Sequence, residues 1–338
     1  MPHPNSEKGS PGRHARRHVL ASLLAGLALP AALRPALGEE ADTAGRIVGA
    51  FDGLFAGPHE GQRAVHAKGL LCEGTFTPTE AAARISRAAH FAGPGVPVLV
   101  RFSNFAAVPG LPDGHPAASP RGMAIRFLLP DGAETDIVAH SYNGFPAATP
   151  EAFLRFLRSL PDAGALAALA AAEPAVRDFL AHPKPAPASY ASENFFGVTA
   201  FVFVDAEGRR RAGRYRIQPL DGAAWLTATE AAAREADYLT AEMRTRLAAG
   251  PVGFRLLLQI AGPGDGTDDG SRPWPEDRPC IELGTLSLQR LAAQPDRERT
   301  DLRFVPTSLV AGIEPSEDPM LLARTLSYDI SAERRARP

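Results

Sequence analysis

Apolar runs bounded by glycine and proline mark the strands of this chain. Residues 96–103 (VPVLVRFS) and 122–129 (GMAIRFLL) predict two buried strands. Residues 195–204, the turn Asp205-Ala206-Glu207-Gly208 and residues 209–218 predict a hairpin, with Gly208 where a positive φ is needed. Residues 253–260 and 282–288 supply two further strands. Polar starts mark the helices. Thr77-Pro78-Thr79-Glu80 combines a cap, a proline and an acid, and predicts a helix running to about Phe91. Thr149-Pro150-Glu151 opens a second, with Phe153, Leu154 and Leu157 on one face. Thr227-Ala228-Thr229-Glu230 opens a third, which Gly250-Pro251 stops. Strands and helices without regular alternation predict an α+β fold, and an antiparallel β-barrel would remove the exposed strand edges.

Composition narrows the class. Of 338 residues, 45% are apolar and 22% charged, with a net charge of −2. That balance describes a soluble globular chain and argues against nucleic acid as a partner. The first forty residues differ. Arg16-Arg17 precedes an apolar run from Val19 to Leu33, followed by Ala36-Leu37-Gly38 and the acidic Glu39-Glu40. A charged start, a short apolar core and small residues form an export signal, and the arginine pair resembles the twin-arginine type. The expected division is a signal over 1–38 and a single domain over 39–338. It implies the export machinery as a partner and a periplasmic or secreted location; an uncleaved anchor is the alternative. Cys72 and Cys280 are the only cysteines, expected to remain separate thiols. With no C-x-x-C motif, a zinc or iron–sulfur site built on thiolates is excluded.

Three segments carry chemistry. Asp318-Pro319 marks a helix start, after which Arg324 and Tyr328 stand four residues apart on one face. A guanidinium one turn away favours phenolate, the form in which tyrosine binds a metal. Alone, the pair reads more readily as an arginine stacked on a surface tyrosine, and it gains weight only with a partner. His66, within Arg63-Ala64-Val65-His66-Ala67-Lys68-Gly69, has apolar neighbours that suit a proton shuttle for peroxide, although taken alone it reads as a structural histidine bonded to a backbone carbonyl. Arg101-Phe102-Ser103 ends a predicted buried strand. A buried arginine needs an anionic partner, which a cofactor carboxylate would supply.

The blocks RAVHAKG, VRFSN, SPRGMAIRF and GIEPSEDPMLLARTLSY resemble the signature blocks of haem catalases, in the same order. The resemblance runs from about Gly45 to the C-terminus and is weaker in the middle. It implies haem b, with Tyr328 as the iron's tyrosinate ligand and Arg324 holding that tyrosinate ionised. It implies His66 as the distal histidine, oriented by Ser103, and Arg63 and Arg101 as contacts to the haem propionates. Val65 would lie close above the iron, Phe153 on the distal haem face, and Phe145 elsewhere in the pocket.

Two departures qualify the match. A gapless reading from Asp136 to Phe153 puts His140 where catalases carry a distal asparagine; Asn143 lies three positions away. An imidazole is bulkier than an amide and titrates, which argues against efficient dismutation. The chain also ends ten residues after Tyr328, without the long C-terminal region of typical catalases. Both features resemble the short catalase-related peroxidases. The expected function is reduction of hydrogen peroxide or organic hydroperoxides by a small organic reductant. True catalase activity, rearrangement of lipid hydroperoxides and a non-catalytic haem-binding role are the alternatives, and a homo-oligomer is left open.

Overall fold

Ten strands form one antiparallel sheet in the computed structural model, which describes residues 33–296, 299 and 301–336. They are β1 (Gly69–Pro78), β2 (Val96–Ser103), β3 (Gly122–Leu128), β4 (Glu134–His140), β5 (Phe195–Phe196), β6 (Phe201–Val204), β7 (Arg210–Pro219), β8 (Val252–Ile260), β9 (Cys280–Leu291) and β10 (Ile313–Pro315). Their order is β10-β6-β7-β5-β4-β3-β2-β1-β9-β8, and a further β7–β8 ladder closes the ring. The closed part is an eight-stranded barrel, with β6 and β10 extending from β7. Closure leaves the ring without an unpaired edge.

The pleat sorts the side chains. On β2, Val96, Val98, Val100 and Phe102 point into the barrel, joined there by Met123, Ile125 and Phe127 of β3. The alternate residues Arg101 and Ser103 therefore face outward, where helices cover them. The helices are α1 (Leu33–Leu54), α2 (Glu80–Ile85), α3 (Pro150–Ser159), α4 (Ala163–Ala172), α5 (Pro174–Ala181), α6 (Ala228–Ala232), α7 (Tyr238–Ala249) and α8 (Pro319–Arg335). Ile47 and Phe51 of α1, Phe153, Leu154 and Leu157 of α3, and Met320 of α8 form a second apolar cluster outside the barrel.

Three expectations are corrected. The helix start at Thr77 is instead the end of β1, where Thr77 and Pro78 pair with Thr285 and Gly284 of β9. The cap moves to Thr79, whose Oγ1 accepts from Ala82 N at 3.3 Å. That helix, α2, has only six residues, because Ser86 turns extended and donates its hydroxyl to Gly312 O at 2.7 Å. The helix from Thr227 begins where expected, on a capping box with Glu230, but splits into α6 and α7. Tertiary bonds cause the split: Leu239 N donates to Asp113 Oδ2 at 2.9 Å, and Tyr238 donates its hydroxyl to Pro187 O at 2.7 Å. The first arm of the hairpin divides into β5 and β6, both paired with β7, while Gly208 takes φ +82° as expected. Strands β1, β4 and β10 were not foreseen. Residues 1–32 of the expected export signal lie outside the described residues, and α1 runs across its assigned end at Gly38.

Candidate active site

The barrel's outer face carries a rung of paired residues across five strands. Gly69 pairs with Ser103, Ser103 with Gly122, Gly122 with His140, and His140 with Phe196. One pleat further along, Leu71, Arg101, Ala124 and Val138 form a parallel rung. Between these rungs and the helical layer lies a cavity of about 220 Å³. All ten residues singled out in the sequence line it: Arg63, Val65, His66, Arg101, Ser103, His140, Phe145, Phe153, Arg324 and Tyr328. Asn143 does not.

His66 reaches the cavity from the segment before β1, with its backbone in the left-handed region at φ +57°. A non-glycine residue there costs about 1–3 kcal/mol and persists only when its surroundings hold it. Three bonds do so: His66 N donates to Phe105 O at 2.8 Å, Ala67 N to Ala106 O at 3.1 Å, and Arg101 Nη2 to His66 O at 2.8 Å. The imidazole then meets Ser103, with Oγ and Nδ1 3.0 Å apart. Gly122 makes the room: a Cβ there would stand 2.5 Å from Ser103 Oγ and 3.0 Å from His66 Nδ1. Behind Ser103, Asn104 Oδ1 accepts from Arg121 Nη1 at 2.6 Å and Tyr190 Oη at 2.8 Å, anchoring the strand end. Burial, then Arg101, His140, Arg63 and Arg324, push the His66 imidazole down to about 3. It is therefore neutral at neutral pH.

Burial and Arg324 likewise push His140 down to about 3. Its Nδ1 accepts from Tyr142 N at 3.4 Å, so the proton of the neutral ring sits on Nε2. That Nε2 is buried without a partner among the described residues. His140 therefore presents a fixed N–H and does not titrate near neutral pH, contrary to the expectation from imidazole in water.

Helix α8 supplies another wall. Asp318 caps it, with Oδ1 accepting from Met320 N at 2.9 Å, and Pro319 occupies the first turn. Arg324 Nε and Nη2 both donate to Tyr328 Oη, each at 3.3 Å, while Arg324 Nη1 reaches Thr199 Oγ1 at 3.4 Å. The alternative of a surface pair falls away, since both side chains line the cavity.

The arginine cluster needs a correction. Arg101 already has an anionic partner, Asp296: Nε donates to Oδ1 at 2.7 Å and Nη2 to Oδ2 at 2.8 Å. Arg63 Nη2 lies 3.6 Å from the same carboxylate. Burial pushes the Asp296 carboxyl up, but Arg101 and Arg63 outweigh it and hold it below the usual range. Arg335, seven residues beyond Tyr328 on α8, also lines the cavity and was missed. Its spacing from Tyr328 is a helical repeat that would have revealed it. Burial and Arg101 lower its guanidinium to about 10. Arg63, Arg101 and Arg335 thus line one end of the cavity, and guanidiniums there suit a ligand carrying carboxylates. Apolar walls from Val65, Phe145, Phe153 and Met320 suit a flat apolar body, with Phe145 and Phe153 ring centroids 4.8 Å apart. The donor set and the walls together fit haem.

Comparison with known proteins agrees. The family described as Catalase matches residues 59–337. A catalase-related peroxidase of Mycolicibacterium paratuberculosis is 39% identical over 295 residues, spanning 82% of this chain and 90% of that one. A catalase-related peroxidase of Synechococcus elongatus is 32% identical, spanning 94% and 95%. Catalase A from Saccharomyces cerevisiae superposes with a TM-score of 0.73 at 22% identity, over 81% of this chain and 61% of that one. A bacterial catalase gives 0.72 at 25% identity, over 81% and 57%. The chain thus spans about three fifths of those two catalases and nearly all of the two peroxidases. It belongs to the catalase family, among the short members that carry the peroxidase name.

Proposed function

We propose that this catalase-family oxidoreductase binds haem b and reduces hydrogen peroxide, or small organic hydroperoxides, with electrons from a small organic donor. One observation carries the reading. The Ser103–His66 pair on the barrel and the Arg324–Tyr328 fork on α8 line the same apolar cavity. Tyr328 would hold the iron, and two guanidinium N–H groups would balance the charge of a ligating phenolate. Arg63 and Arg101, which line the cavity, would hold the propionates, with Arg335 beside them. When bound, the haem iron supplies the redox chemistry at the O–O bond. His66 Nε2 then takes the proton from one peroxide oxygen and returns it to the other, while Ser103 holds Nδ1. Val65, Phe145 and Phe153 exclude water from that transfer.

His140 favours peroxidase over dismutase chemistry. Dismutation needs a second peroxide held as a hydrogen donor, and an asparagine amide offers both a donor and an acceptor. With Nδ1 engaged by Tyr142 N, His140 offers only a donor. A haem carrier without turnover has no need of the His66–Ser103 pair. The deciding experiment is oxygen released per hydrogen peroxide consumed, with and without a phenolic donor. Peroxide loss that requires the donor and releases little oxygen is expected; near-stoichiometric oxygen without it refutes the reading. Tyr328→Phe is expected to lose haem or shift its absorption spectrum.

The proposal extends to location. Arg16-Arg17 and the apolar run after them support twin-arginine export of a domain beginning near Glu39. A mature periplasmic protein whose N-terminal residue lies near position 39 is the expected finding, and an uncleaved N-terminus speaks against it.

A further inference from the structure

Asp296 lies beside Arg63 and Arg101, which line the cavity, and takes no part in the chemistry above. It lies in the connection after β9, its side chain 6% exposed, and both of its oxygens engage Arg101. The same Nη2 that meets Oδ2 also donates to the carbonyl of His66 at 2.8 Å and reaches Ala67 O at 3.5 Å. A chain of short contacts therefore runs from a carboxylate through a guanidinium to the backbone of the one cavity-lining non-glycine residue in the left-handed region, among the described residues.

The physical consequence follows from the strain. A left-handed histidine relaxes unless its peptide groups are pinned, and relaxation would swing the carbonyl and re-aim the ring. Arg101 pins that carbonyl. Its own long side chain would be loose without a partner on the far side, and the charge-assisted fork to Asp296 removes that freedom. The fit has no slack: a Cβ on Gly69 would stand 2.4 Å from Arg101 Nη2 and 2.9 Å from Asp296 Oδ2. Gly69 pairs with Ser103, the residue that receives the His66 ring. Carboxylate, guanidinium, carbonyl and imidazole thus form one tightly packed unit.

We propose that Asp296 is a positioning residue for His66, acting through Arg101. The proposal rests on the role assigned to His66 above, but its test reads the ring's placement and not turnover. Cyanide reaches ferric haem as hydrogen cyanide and surrenders its proton to a distal base, so its association rate reports where that base stands. In haem-loaded Asp296→Asn, association is expected to slow about tenfold, part of the roughly 10²–10⁴ that a positioned proton-transfer group contributes. Asp296→Glu is expected to restore most of the rate. In a double-mutant cycle, Asp296→Asn is expected to add little to Arg101→Lys. A second readout needs no cofactor: in the apo-protein, the ¹⁵N signals of the His66 imidazole should lose the signature of the Ser103 bond in Asp296→Asn. If that variant fails to load haem, these signals decide the matter. Wild-type cyanide association, unchanged imidazole signals, or a slowing that Asp296→Glu leaves unrepaired would each overturn the proposal. A wild-type enzyme that consumes peroxide without any donor would refute the peroxidase reading and leave this one standing.

Discussion

Gly122→Ala tests the site with one methyl group. The new Cβ would stand 2.5 Å from Ser103 Oγ and 3.0 Å from both Cε1 and Nδ1 of His66, where ordinary contacts begin near 3.4 Å. Gly122 is paired with Ser103 on one side and His140 on the other, so β3 cannot retreat without moving both neighbours. The φ of Gly122 is not in the left-handed region, so alanine suits the backbone and the whole cost falls on the two side chains. Overpacking of this kind costs about 1–3 kcal/mol of stability. Displacing His66 from Ser103 removes a hydrogen bond worth about 1 kcal/mol and disturbs a proton transfer that contributes on the order of 10²–10⁴ in rate. A fall of about a hundredfold in kcat is expected, with haem content retained. Ser103→Ala is the control, since it breaks the same bond without a clash. Its expected loss is about fivefold, the equivalent of about 1 kcal/mol. Stopped-flow peroxide consumption with a saturating phenolic donor, alongside haem absorbance and thermal melting, measures both variants. Haem-replete Gly122→Ala within threefold of wild type, or a larger loss in Ser103→Ala, would refute the reasoning.

His140→Asn restores an amide that both donates and accepts, and should raise the oxygen released per peroxide consumed; an unchanged ratio would remove His140 from the account of specificity. His90 tests acid stability away from the cavity: it is buried between Phe91 and Phe127, and burial pushes it down to about 3. Between about pH 6.5 and 3 the unfolded chain binds this proton and the folded chain does not, so stability falls as pH drops through that window and is level outside it. His66 and His140 behave alike, and His90→Phe should lower the slope of unfolding free energy against pH by about 1.4 kcal/mol per unit; an unaltered slope in denaturant titrations would show that the native ring is charged. Cys72 is buried with its thiol pushed up to about 12 by burial, whereas Cys280 is exposed. A thiol reagent should therefore modify one cysteine at once and the second only on unfolding, and immediate reaction of both would contradict the burial of β1.

What the sequence determined by itself was local or repeated. The strand at 96–103 is legible because it is an apolar run bounded by glycine and proline, and the pleat then dictates that Arg101 and Ser103 leave the barrel together. Helix α8 is legible because Asp318 and Pro319 act within one turn, which sets Arg324 and Tyr328 on one face. Arg335 was equally readable from the same periodicity. What only the tertiary structure decided depended on distant segments. Thr77 and Pro78 carry a helix-start pattern, but a ladder with β9, some two hundred residues away, claims them for a strand. The break between α6 and α7 depends on Asp113 and Pro187, and barrel closure on β7 meeting β8. Asp296 is 195 residues from Arg101, with no local pattern to tie them. Caps and periodicity act over a turn or two of chain, and that range covers helix α8 and the strand beneath the cavity. Pairing of buried charges and closure of a barrel are settled only when remote segments meet, because burial makes an unpaired guanidinium or strand edge costly there.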